Sequence, residues 1–268
     1  MVGFNEISPP QLMRLIGTTD APAIVDVRLG DDIALNPSSV PLAIFCAADK
    51  VLNLQAELQD RPVVVVCHRG KKLSHGAAAL LRTVGVRAEV LEGGMEAWRA
   101  LKLPSIPLNA LPNDRHSRWV TRHRPKIDRL ACPWLIRRFV DPNAQFLYVP
   151  AVEVEEVAAR FKATAFDMPG GAFSHIGDRC SFDAMLDSFA LHSEPLDHMA
   201  NVIRGADTNT HALAPECAGL LAISVGLSRK FKDDLAQLEA ALPIYDALYH
   251  WARDGRGETH DWDEGQSA

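Results

Sequence analysis

Apolar and polar positions follow different rules in the two halves of this chain. In the first half, AIVDVR (23–28), VVVVC (63–67) and AEVLEGG (88–94) are apolar runs of strand length, rich in β-branched residues. Helical segments lie between them. Ser8 caps a helix over 9–16 that opens with Pro9 and Pro10, Ser74 starts a second that stops at Gly85, and MEAWRAL forms a third. Strand, helix, strand at these lengths predicts a parallel α/β sheet with right-handed crossovers.

The second half begins with three short extended pieces, RWVTR, FLYV and TAFDM, followed by helices over about 181–191, 194–205, 214–225 and 231–252. Phe182, Met185, Leu186 and Phe189 recur at helical spacing, as do Leu235, Leu238, Leu242 and Tyr245, so these stripes are core. This half reads as a mostly helical α+β domain. Pro104, Pro107 and Pro112 separate the halves. The expected organisation is an α/β domain over 1–108, a linker over 109–116, a helical α+β domain over 117–254 and a disordered tail over 255–268.

Composition narrows the class. With 47% hydrophobic and 23% charged residues the chain is globular, and no apolar run reaches membrane-spanning length. The N-terminus has no basic and apolar leader, so a cytoplasmic location and no membrane partner are expected. Five cysteines, at 46, 67, 132, 180 and 217, form no CxxC pair and read as reduced thiols. The net charge of −6 hides an asymmetry: residues 113–138 hold eight basic against two acidic side chains, and 139–268 hold nine against twenty-one. The basic stretch is either an anion site or half of an internal ion-pair network.

Cys67 ends the four-valine strand and is followed by a polar loop, expected to be exposed, that enters a helix. Ligands bind beyond the carboxyl ends of parallel strands, and a helix entrance turns backbone N–H groups toward an anion. His68, Arg69, Gly70, Lys71, Lys72 and Ser74 are the expected anion-binding loop, and Cys67 is the expected nucleophilic thiolate. The alternative is a structural cysteine with basic residues facing water.

DVR at 26–28, the strand–Cys–loop–helix unit and LEGGMEAW at 91–98 together resemble a single rhodanese domain over about 4–105. The resemblance implies that Cys67 takes sulfane sulfur from thiosulfate or another donor, forms a persulfide, and passes the sulfur to a thiol acceptor or cyanide. It places Asp26 and Arg28 as a structural ion pair. Lys72 stands at the fifth position after the cysteine, where the family has Arg, and Leu73 intervenes before Ser74, so the loop is one residue longer. A lysine cannot make the bidentate fork of an arginine.

In the second half, the Arg-rich segment 118–150 offers Arg122, Arg124 and Arg129 as an anion clamp. FSHIGDRCSFD (173–183) and RGADTNTHALAPE (204–216) suggest His175, Cys180, Asp207 and Glu216 as ligands of a divalent transition metal: zinc, iron or nickel. Ser181 and Asp183 acting only as helix caps is the structural alternative. WVTRHRPKIDRLACPWLIRRF, FLYVP, FSHIGDRCSFD, IRGADT, LAPECAGLLAISVGLSR and YDALYHW resemble the C-terminal domain of ChrB-type chromate-resistance proteins over about 118–252. That resemblance implies a role in tolerance of chromate. The expectation is a sulfurtransferase joined to a chromate-resistance domain, with nucleic acid not expected as a partner. A chromate-responsive transcriptional regulator and a non-catalytic oxyanion-binding adaptor are the competing readings.

Overall fold

The computed structural model describes residues 5–258. The first half contains β1 (Glu6–Ile7), α1 (Pro9–Leu15), β2 (Ala23–Asp26), α2 (Gly30–Leu35), β3 (Ser38–Ser39), β4 (Ala43–Phe45), α3 (Gln55–Leu58), β5 (Val63–Val66), α4 (Lys72–Thr83), β6 (Ala88–Leu91), α5 (Gly94–Ala100) and β7 (Ile106–Pro107). Five strands make a parallel sheet in the order β1-β6-β5-β2-β4, so the all-valine β5 sits at its centre. Burial on both faces explains why that strand is apolar at every position. Ser8 and Gln11 form the reciprocal cap of α1.

The period-two alternation of the strands sorts this sheet into two faces. Val63, Val65 and Cys67 lie under Ala77, Ala78 and Leu81 of α4. Ile24, Val64, Val66 and Leu91 join Leu12, Ile16 and Trp98, and this face continues without a break into the second half, through Trp134, Phe139 and Tyr249. The Leu42 N–H donates to the Phe139 carbonyl at 3.0 Å, and Arg253 donates to the carbonyl of Arg14 at 2.8 Å. The two halves therefore share one hydrophobic core.

The stretch from Pro104 through the expected linker is also integrated. β7 pairs with β3, Trp98 Nε1 donates to the Pro104 carbonyl at 3.0 Å, and Arg115 pairs with Glu57. Of the expected tail, Gly255 closes a π turn and Arg256 pairs with Glu194 at 3.0 Å, whereas 259–268 lie outside the described residues.

The second half adds β8 (Arg118–Arg122), α6 (Asp128–Leu135), β9 (Gln145–Val149), α7 (Val154–Phe161), β10 (Thr164–Ala165), α8 (Ser181–Phe189), α9 (Glu194–Asp207), α10 (Cys217–Lys230) and α11 (Asp234–His250). Its small parallel sheet has the order β10-β8-β9. α2, α3, α6 and α7 were not foreseen. α6 is the instructive case, because Pro133 stands inside it where a proline reads as a helix breaker, while Leu130, Ala131, Cys132, Trp134 and Leu135 are all fully buried. Pro133 inside it removes the N–H that would serve the Arg129 carbonyl, and the Tyr148 hydroxyl donates to that carbonyl instead, at 3.2 Å.

Most of the basic segment is consumed internally, as an ion-pair network. Arg137 meets Glu239 at 2.6 Å, and Arg138 grips Asp246 with two bonds of 2.7 and 2.8 Å. Asp246 also accepts from Trp134 Nε1 at 2.8 Å, which ties α11 to α6. Asp246→Ala is expected to cost about 3 kcal/mol, because it strands a largely buried guanidinium and an indole N–H. Chemical denaturation of the variant beside wild type measures this.

Candidate functional site: a cysteine loop and an acidic–histidine cluster

Cys67 follows β5 directly and is only 5% exposed, so the expected exposed position is corrected: the thiol packs under α4 at the floor of its loop. Its Sγ accepts from the Lys71 N–H at 3.3 Å and lies 3.1 Å from Ser74 Oγ, which also reaches the Lys71 carbonyl at 3.0 Å. The sulfur thus sits at the first turn of α4, where a serine hydroxyl can turn toward it as negative charge appears.

The loop takes its shape from the double-glycine turn before α5. Met95 and Glu96 donate their N–H groups to the carbonyls of Cys67 and His68, each at 3.0 Å. Gly70, Gly93 and Gly94 have φ of 61°, 66° and 59°. A Cβ on Gly94 would lie 2.2 Å from the Cys67 carbonyl oxygen and 2.4 Å from the Gly70 nitrogen. Two motifs far apart in sequence are therefore one mechanical unit.

The expected anion loop is only partly realised. His68 and Arg69 turn to Glu96, at 3.2 and 3.3 Å, instead of lining a cradle. Lys71 supplies its backbone N–H, Gly70 supplies the turn, and the Lys71 and Lys72 side chains are exposed to solvent. Asp26 and Arg28 form a fully buried pair at 2.7 Å, and Arg28 donates on to the carbonyls of Asn36 and Ser38. Burial raises the Asp26 pKa, and the guanidinium opposes that rise.

In the second half, His175 Nε2 faces Asp128 at 3.2 Å, Asp207 at 3.2 Å and Asp167 at 3.6 Å. Asp128 opens α6, Asp207 closes α9, and His175 and Asp167 lie between β10 and α8. The hydrogen bond to Asp128, opposed by burial, pushes His175 up to about 9. Burial and the neighbouring Asp128 raise Asp207 to about 7, and burial raises Asp167. Ile127, just before Asp128, has φ 40° and ψ −99°, rare for a β-branched residue. Its N–H donates to Ser224 Oγ at 2.9 Å and its carbonyl accepts from the Tyr245 hydroxyl at 2.7 Å, so the surroundings enforce the conformation.

The expected ligand set changes accordingly. His175 and Asp207 come together, but Asp128 joins them in place of Cys180 and Glu216. Burial raises the Cys180 thiol, and its N–H and thiol both donate to Asp183, the cap of α8, outside this group. Glu216 precedes α10 outside this group. Sequence reading missed Asp128 and Asp167, since a lone aspartate in an apolar or turn segment carries no spacing signal. The three arginines do not form a clamp either. Arg122 and Arg129 meet Asp167 at 2.6 and 3.1 Å, while Arg124 donates to the Ser228 and Phe231 carbonyls at the end of α10.

A cysteine at the carboxyl end of the central parallel strand, looped into a helix and seated on a double-glycine turn, defines a rhodanese-like domain, here packed on a mostly helical partner. The chain matches the family described as "Rhodanese-like domain" over 8–101 and that described as "ChrB, C-terminal domain" over 119–252. It belongs to both families, one in each half. It is 37% identical over 132 residues to Protein ChrB of Cupriavidus metallidurans, a match spanning 49% of this chain and 39% of that protein. It is 34% identical over 102 residues to the thiosulfate sulfurtransferase GlpE of Pseudomonas savastanoi pv. phaseolicola, spanning 37% of this chain and 92% of that one. A rhodanese-like domain protein of Staphylococcus aureus of known structure aligns at 25% identity and a TM-score of 0.32, covering 35% of this chain and 91% of that one. Among the described residues, no helix is long and apolar enough to cross a membrane.

Proposed function

We propose that this chain is a rhodanese-type sulfurtransferase working in cytoplasmic chromate tolerance, with Cys67 as the sulfur carrier. The observation that carries the reading is the Lys71 N–H donated to Cys67 Sγ at the start of α4, with the Ser74 hydroxyl 3.1 Å from the same sulfur. The Cys67 thiolate attacks the outer sulfur of thiosulfate, the S–S bond of the donor breaks, and sulfite leaves with the bonding pair. A Cys67 persulfide remains, and an acceptor thiolate then takes its outer sulfur and regenerates the Cys67 thiolate. Lys71 and Lys72 face the solvent from which a dianionic donor arrives.

The acceptor is a separate molecule. Cys46 follows β4, one strand beyond β2, so its Cα is about 10 Å from that of Cys67, beyond disulfide reach. A groove of about 540 Å³ beside the loop, lined by Leu29, Phe45, Cys46 and Leu73, suits an approaching thiol carrier. The chromate role rests on kinship with ChrB, and chromate shares the tetrahedral dianionic form of the donor.

The test is intact-protein mass measurement after incubation with thiosulfate or a small-molecule persulfide, followed by peptide mapping. One added sulfur atom on the Cys67 peptide, lost on addition of a thiol and absent in Cys67→Ser, is the expected result. No loading from either donor, or loading at Cys46, Cys132, Cys180 or Cys217 instead, overturns the reading.

A further inference from the structure

We infer that Asp128, His175 and Asp207 form a binding site for one first-row divalent metal ion of the manganese(II) or iron(II) type. The inference concerns the second half of the chain and is independent of sulfur transfer at Cys67.

The argument is first geometric. An ion bound at about 2.1 Å by nitrogen and oxygen holds neighbouring donors about 3.0 Å apart in an octahedron and about 3.4 Å apart in a tetrahedron. His175 Nε2 lies 3.2 Å from an oxygen of Asp128 and 3.2 Å from an oxygen of Asp207. One ligand atom from each of the three residues lies within 4.8 Å of the other two. One imidazole N–H can serve only one acceptor well, yet three carboxylates crowd this nitrogen, which is the arrangement donors take around an ion.

Charge and support agree with this reading. Arg122 and Arg129 are both directed at Asp167, so that carboxylate is already matched and acts as a neighbour of the site. Asp128 and Asp207 instead meet His175 Nε2, each at 3.2 Å, so two carboxylates and one imidazole face a common point. Asp128 is held rigidly by the enforced turn at Ile127 and by the Ser181 N–H at 3.3 Å. Asp207 is anchored at the end of a fourteen-residue helix. His175 has 39% of its side chain exposed, so the site opens to solvent on one side. Three protein donors on one face leave the other positions to water or a small anionic ligand.

The donor set decides the class of ion. Two carboxylates and one imidazole, with no thiolate, favour manganese(II) or iron(II) over copper, and the low donor count disfavours calcium. Zinc(II) is the nearest competitor.

The experiment uses the full chain stripped with chelator and titrated with manganese(II). The six-line paramagnetic resonance signal of the free ion reports binding, and the thermal midpoint is followed in parallel. The expected result is one manganese per chain, a raised midpoint, and displacement by iron(II) or zinc(II). His175→Ala and the near-isosteric Asp207→Asn should each weaken binding at least about tenfold, while their metal-free circular dichroism matches wild type. His175 lies in an exposed loop, so its variant folds even if Asp207→Asn does not. A folded wild-type chain that binds none of these three ions with an unmoved midpoint overturns the site and leaves His175 as an imidazolium clasp only. Equal binding by wild type and both folded variants overturns the ligand assignment.

Discussion

Gly94→Ala is expected to abolish sulfur loading at Cys67 although the cysteine itself is not replaced. Gly94 has φ 59°, a region that costs an L-residue about 1–2 kcal/mol. Its new methyl would lie 2.2 Å from the Cys67 carbonyl oxygen, 2.4 Å from the Gly70 nitrogen and 2.9 Å from the Arg69 nitrogen. All three are backbone atoms of the loop that shapes the sulfur site, so no side chain can swing aside. The loop must lift away from α5, which breaks the bonds from Met95 and Glu96 and carries Cys67 out of register with Ser74. A displacement of about 1 Å at a reacting centre costs about 100-fold in rate. The check is persulfide loading from thiosulfate, compared with wild type and with Gly76→Ala, where a Cβ meets nothing within 4 Å. Loading at the wild-type rate by Gly94→Ala would show that the loop does not depend on the double-glycine turn.

Gly17→Ala is expected to destabilise both halves of the protein together. Gly17 ends the α1 region with φ 84°, and a Cβ there would lie 2.4 Å from Phe139 Cζ and 2.8 Å from Tyr249 Cε1. Both rings are buried at 0% and 1% exposure and pack edge-to-face with each other and against Trp134, so they have nowhere to retreat. Overpacking costs about 1–3 kcal/mol and the backbone conformation about 1–2 kcal/mol more. A fall in thermal midpoint of roughly 5 °C or more follows for a chain of this size. Calorimetry should show one cooperative transition in wild type, shifted as a whole in the variant. Two transitions, with only one of them moved, would show that the halves fold separately despite their common core.

The local parts of the fold were legible in the sequence. β2, β5, β6, β8, β9 and β10 and helices α1, α4, α5 and α8 to α11 follow from period, caps and breakers, which act over a few neighbouring residues. Cys67 was legible for the same reason, since strand, thiol, loop and helix are contiguous and Ser74 lies seven residues away. Apart from the meeting of His175 and Asp207, what depends on a distant partner was not. His68 and Arg69 looked like anion ligands until Glu96, on another helix, claimed them. Arg122, Arg124 and Arg129 looked like a clamp until Asp167 and the end of α10 absorbed them. α6 escaped because Pro133 stands inside it, where a proline ordinarily ends a helix.

The order of elements, the division into a parallel α/β half and a helical half, and the place of Cys67 at a strand end were readable from the chain alone, because each is written in short-range periodicity and backbone chemistry. Which charges remain available and which residues meet emerged only from the folded chain. Asp128, His175 and Asp207 converge from the start of one helix, a loop and the end of another, and Gly17 proves to be an interface residue. Packing of the shared core sets those distances, and packing is a property of many elements at once that no local pattern encodes.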